Sequence, residues 1–206
     1  MSASIEIRKL NLDGFSPDEL HDEAQRLRQF VYRDFLRLGI SEEDARSISD
    51  PDNEEEALTQ LDKIISPRYP DTVYAKLLSG EEVAGYTKVG PRLPGDEAPF
   101  GRRRRILASV RELGLATEAV PRGLHALAVR EGLTHAALTR IYYDLVPANQ
   151  QLVASVHERD SELQDAFTDL GANTKAPQGS IMLGSYAASY SRRALPPHRG
   201  RQNENE

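Results

Sequence analysis

In the stretch "GLHALAVREGLTHAALTRIYYDL", residues 123–145, one histidine interrupts an apolar run, and one glycine sits in the short turn before a helical pattern. His125 is the residue type suited to taking a proton near neutrality, because imidazole titrates there unaided. The turn from Arg130 to His135 brings a cation, Gly132, Thr134 and a second imidazole to the start of a helix. The first amides of a helix have no internal partner and carry partial positive charge, so such a junction is a candidate seat for an anion or a cofactor phosphate. The alternatives are that His125 is packed in a sheet or bonded to a backbone carbonyl, and that Gly132 only turns a corner.

Other chemistries find less support. There is no cysteine, which excludes disulfides, thiolate nucleophiles and Cys-ligated metals. His125, His135 and His157 are scattered without a carboxylate pattern, so no metal site is read from them. Tyr142 and Tyr143 are adjacent on a helical stretch, so only one can face inward, and core packing suits that one. Net charge is −6 with a pI near 5.5, which argues against a general nucleic-acid surface. Arg102 to Arg105, and Arg192, Arg193, Arg199 and Arg201, are local exceptions, read as solvated clusters with a phosphate patch as the alternative. No segment resembles a signal peptide or an apolar span of ~18 residues, so a soluble cytosolic protein is expected, with no membrane partner.

The elements that must position the junction follow from spacing. "IEIRKL" (5–10) alternates as a strand. Ser16, Pro17 and Glu19 form a capping-box start, and Leu20, Ala24, Leu27, Val31, Phe35 and Leu38 continue on one helical face until Gly39. "SEED" (41–44) starts a second helical segment that Pro51 interrupts and 54–65 resumes. A hairpin spans Thr72 to Val89, a loop 90–101, and a helical spacing runs through Ile106, Val110 and Leu113. "GLHALAV" reads as a strand buried on both faces, with His125 on the same face as Leu127 and Val129. Thr134 is expected to cap the next helix, "QLVASVH" (151–157) to be a strand, Asp160 to cap a helix ended by Gly171, and "SIMLGSYAASY" to close the sheet.

This order resembles the GNAT superfamily of acyl-CoA N-acyltransferases over most of residues 5–188. "LHALAV" (124–129) is similar to the central, His-bearing strand of the arylalkylamine N-acetyltransferases. "RDSELQDAFTDLGA" (159–172) resembles the superfamily's late helix, and "LRQFVY" (27–32) the first helix that it shares with the acyl-homoserine-lactone synthases. The resemblance implies an α/β (α+β) fold, a mixed, mostly antiparallel central sheet flanked by helices. It implies one domain over residues 1–190, followed by a disordered polar tail, 191–206.

It also implies a site. Acetyl-CoA or another acyl-CoA would be co-substrate, without a metal, and the acceptor a primary amine on a small molecule or peptide. Amides around Leu127 and Val129 would hold the thioester, Arg130, Gly132, Thr134 and His135 the phosphates, and His125 would act as base. No covalent enzyme intermediate is needed, and a homodimer is left open. Two departures stand out. The turn "REGLTHAA" is shorter than the superfamily's pyrophosphate loop, and Phe167 and Asp160 stand where a tyrosine and an asparagine are common. An acyl-homoserine-lactone-synthase-like enzyme and a non-catalytic acyl-CoA sensor or interaction domain are the other readings.

Overall fold

The computed structural model describes residues 4–11, 14–53, 55–57, 59, 71–91, 122–147, 150–157, 159–175, 180–181 and 184–193, with side chains as far as Ala172 except at Ser155. The expected loop beyond Pro91, the spacing at 106–113, Arg102 to Arg105 and the tail from 194 onward lie outside the described residues, as do residues 60–65. Of the helix resumed at 54–65, residues 55–57 are helical.

Helix α1, Pro17–Arg37, has the expected capping box: Ser16 N–H donates to Glu19 Oε2 at 2.8 Å, and Ser16 Oγ accepts from Glu19 N–H. Gly39, at φ +71°, ends the following turn. Helix α2 is Glu42–Ser49, capped by Ser41. The strands are β1 (Glu6–Lys9), β2 (Val73–Ser79), β3 (Glu82–Pro91), β4 (Arg122–Val129), β5 (Gln151–His157), β6 (Asn173–Lys175), β7 (Ser180–Ile181) and β8 (Gly184–Arg193). Helix α3, Thr134–Leu145, follows β4, and helix α4, Ser161–Asp169, follows β5. The hairpin therefore extends two residues beyond Val89, and the last strand passes the expected domain end to reach Arg193, where it pairs with Gln151.

The sheet order is β1-β2-β3-β4-β5-β8-β6, with β7 paired to β8. Every pairing is antiparallel except that of β4 with β5. This is the mixed, mostly antiparallel sheet expected. The larger core lies on the face covered by α3 and α4, where Leu138, Ile141 and Phe167 pack with Leu77, Val89, Leu124 and Leu152. The other face packs Tyr74 and Tyr86 under Leu27 of α1.

Helix α1 carries two buried charges that its apolar spacing conceals. Glu23 is 4% exposed; its Oε1 accepts from Tyr86 Oη at 2.6 Å, and its Oε2 pairs with the Lys76 ammonium. Arg28 donates to the Asp50 carbonyl at 2.8 Å and pairs with Glu56, which ties α2 and the segment after it to α1. Buried charges survive only when partnered in this way.

Candidate active site

Strand β4 is irregular at the residue of most chemical interest. Lys88 lies opposite Ala126 and Val89 opposite Leu124, so His125 is an extra residue, a β-bulge. The bulge resets the period of two: Leu124, Leu127 and Val129 all turn to the α3–α4 core. A Cβ built on Gly90 would lie 3.3 Å from His125 Nε2, and Gly90 adjoins Val89, which faces that core. His125 is therefore on the opposite face, towards α1, and does not share a face with Leu127 and Val129 as plain alternation predicts. The Thr87 hydroxyl donates to the Ala126 carbonyl at 3.0 Å, bracing the bulge from β3.

The second irregularity is where β4 leaves β5. Their parallel ladder holds only Arg122 opposite Leu152 and Gly123 opposite Val153. Arg130 N–H donates to Ala84 O at 2.8 Å, towards β3. Because N–H groups alternate sides along a strand, those of Val129 and Leu127 point the other way, into the gap where β5 has diverged. They have no ladder partner there among the described residues. The same divergence explains why β4 is not buried on both faces: His125, Leu127 and Val129 are half-buried and Ala126 is exposed.

The turn after β4 is well formed, but its donors are taken. Gly132, at φ +76°, allows the chain to reverse without Cβ strain. The N-cap of α3 is Leu133, without a side-chain cap; Thr134 is the first helical residue, not the cap. Two donors of the turn are taken by a residue of α4. Glu162 Oε1 accepts from Gly132 N–H at 2.9 Å, and its Oε2 from the Thr134 hydroxyl at 2.6 Å. Arg130 pairs with Glu82 at 3.0 Å, and His135 Nδ1 lies 3.5 Å from Asp169 Oδ2. Each group expected to hold phosphate thus faces a carboxylate of the chain itself. The Leu127 and Val129 N–H groups could receive a carbonyl oxygen, whereas at the turn the Gly132 N–H and the Thr134 hydroxyl already have Glu162 as acceptor.

Around Glu162 the charges continue. Arg37 bridges Asp34 Oδ1 at 2.9 Å and Asp160 Oδ1 at 3.1 Å, and Asp160 caps α4 as expected by accepting from Leu163 N–H. Arg159 donates to the Gly39 carbonyl at 2.7 Å, fastening the end of α1 to the β5–α4 turn. Burial pushes the Asp34 carboxyl up to about 6, against the lowering effect of Arg37, with Asp160 and Glu162 adding to the rise. Phe167 is buried in the core and offers no hydroxyl. A cleft of about 650 Å³ lies between β1 and α3, bordered by Glu6, Gly132, His135, Thr139 and Arg140, and does not include β4. His157 Nδ1 accepts from the Arg159 N–H at 3.2 Å, and no group of three or more metal-ligating side chains occurs among the described residues.

The sequence points to His125, Leu127 and Val129 but carries no sign of Glu162, Glu82 or Asp169, which reach the turn only through tertiary packing. A bulged strand diverging from its parallel neighbour, a helix after each of the two, and a hairpin before them define the fold of the GNAT acetyltransferases. No protein-family model and no curated protein matches the chain. Among solved structures it is similar to an acetyltransferase from Thermus thermophilus, at 16% identity and TM-score 0.53, over 92% of this chain and 96% of that one. A probable acetyltransferase from Staphylococcus epidermidis aligns at 11% identity and TM-score 0.55, over 93% and 99%. A putative acetyltransferase from Salmonella typhimurium, solved with its cofactor acetyl-CoA, aligns at 12% identity and TM-score 0.53, over 93% and 95%. No helix among the described residues is long and apolar enough to cross a membrane.

Proposed function

We propose that this chain is a divergent, cytosolic GNAT N-acyltransferase. It moves an acetyl or other acyl group from an acyl-CoA-type pantetheine thioester to a primary amine on a small molecule or peptide. The observation that carries the reading is the gap between β4 and β5, into which the Leu127 and Val129 N–H groups point. Acetyl-CoA in the Salmonella structure of the same fold supports this donor class.

The two N–H groups hold the oxygen on which negative charge develops when the amine adds to the thioester carbonyl. His125, on the α1 face of the bulge, takes the proton that the amine must lose. The nitrogen–carbonyl bond forms, the carbon–sulfur bond breaks, and the sulfur leaves as thiolate. With phenylalanine at position 167, that thiolate is protonated by solvent or by the His125 imidazolium.

Thermal unfolding with acetyl-CoA, longer acyl-CoAs and S-acetylpantetheine tests the donor, since a ligand at 100 times its Kd stabilises by about 2.7 kcal/mol. His125→Ala is expected to keep the shift and to lower kcat on a responsive amine by roughly 10²- to 10⁴-fold. No shift with any thioester removes the acyl-transfer reading. A shift with no turnover on an amine panel replaces it with an acyl-CoA sensor.

A further inference from the structure

We infer that Glu162 is a specificity-determining residue that closes the α3 turn to phosphates, so that the donor is recognised through its pantetheine arm and gains little from a nucleotide pyrophosphate. This rests on the acyl-transfer reading for the donor's chemistry, but the occupancy of the turn does not.

Beyond Val129 the next anion-seeking groups along the chain are the donors of the β4–α3 turn, which lie just ahead of the partly positive N-terminus of α3. Here the carboxylate of Glu162 accepts from both the Gly132 N–H and the Thr134 hydroxyl. These are charge-assisted contacts, stronger than neutral ones. Thr134 is 5% exposed, so its hydroxyl has little access to solvent as an alternative partner. The neighbouring basic side chains also face carboxylates, Arg130 that of Glu82 and His135 that of Asp169. An arriving phosphate must displace Glu162, whose charge, with that of Asp160, already acts on Asp34. Glu162 occupies the turn, with Asp160 on the same helix and Asp34 on α1 close enough to interact with each other, and like-charge repulsion opposes an anion placed there. The gap at Leu127 and Val129 lies outside this acidic group, so a neutral pantetheine thioester meets no such barrier.

Two measurements test this. The first needs no activity: melting of the wild-type chain and of Glu162→Ala with millimolar inorganic pyrophosphate as the probe. The wild type is expected not to respond, and the variant to be stabilised by about 2 °C or more. Glu162→Gln, which keeps an acceptor oxygen and most of the shape, should respond less than Glu162→Ala and serves if the alanine variant is poorly folded. The second compares kcat/KM for acetyl-CoA and S-acetylpantetheine on one amine. The wild-type values should agree within about threefold, and Glu162→Ala should raise the acetyl-CoA ratio about tenfold. A wild type that binds pyrophosphate as well as the variant overturns the inference. So does a failure of both proteins to respond, because Glu162 is then not what closes the turn. Loss of transfer from both thioesters refutes the acyl-transfer reading while leaving the pyrophosphate result to decide the role of Glu162.

Discussion

Asp34 shows how the acidic surroundings of the turn act on a single group. Its native carboxyl titrates at about 6, above the ordinary 3.8, mainly through burial and despite Arg37. Between those values the folded chain keeps a proton that the unfolded chain releases. The group therefore costs stability as pH rises from about 4 to above 6, by at most roughly 3 kcal/mol. Asp34→Asn should gain on the wild type across that window. Urea unfolding at pH 4 and pH 7 checks it: the difference between the two proteins should be larger at pH 7, and a difference that does not change with pH contradicts the assignment. Protonation of Asp34 also leaves Arg37 with Asp160 as its charged partner, so the link between α1 and α4 persists below pH 6.

At the scale of elements, α1 is held to the sheet by both apolar contact and the buried Glu23. Glu23→Ala would leave the Tyr86 hydroxyl and the Lys76 ammonium without their acceptor. Removing one partner of such a buried set costs about 3 kcal/mol. Chemical denaturation should show that loss, with Glu23→Gln losing less because it still accepts from Tyr86; equal losses would mean that charge matters and the hydrogen bond does not. Burial also raises the Tyr86 hydroxyl above its ordinary range, and the neighbouring Glu23 adds to the rise, so Tyr86 stays a donor at all ordinary pH.

Helix α1 was legible in the sequence because its cap, its spacing and its terminal glycine all lie within one local stretch. The hairpin and the strand–helix–strand–helix order were legible for the same reason. What escaped was tertiary. The bulge at His125 breaks the alternation from which its face was read, and the break depends on pairing with β3. Strand β6 has only three residues and is recognisable by its register with Ser189 to Ser191. Thr134 resembles a cap by residue type, but its hydroxyl donates to Glu162 on another helix and the helix starts with Thr134 itself, so Leu133 is the N-cap. The strand residues of the candidate site could be named from the sequence, whereas the contact of Glu162 with the turn could not.

At the scale of the molecule, net charge −6 sets a field that disfavours polyanionic donors and favours cationic acceptors. Salt weakens both effects, since the screening length falls from ~30 Å at 0.01 M to ~8 Å at 0.15 M. With a neutral amine, kcat/KM for acetyl-CoA should rise with added potassium chloride while that for S-acetylpantetheine stays level. Stopped initial-rate measurements at a series of salt concentrations check this, and a fall for acetyl-CoA would reveal a positive approach path that outweighs the acidic whole.

The two residue pairs that join β4 to β5 have a mechanical meaning as well. They join two antiparallel ribbons of the sheet, one of β1 to β4 and one of β5, β8 and β6. What binds them is a side-chain interface, with Leu138 and Phe167 at its centre, both almost wholly buried. One apolar core spans both ribbons, and the Arg159 bond to the Gly39 carbonyl adds a polar link between the end of α1 and the β5–α4 turn. A change in how the helices pack would widen or narrow the seam without breaking a strand, making the width of the opening a property of helix packing and not of the sheet.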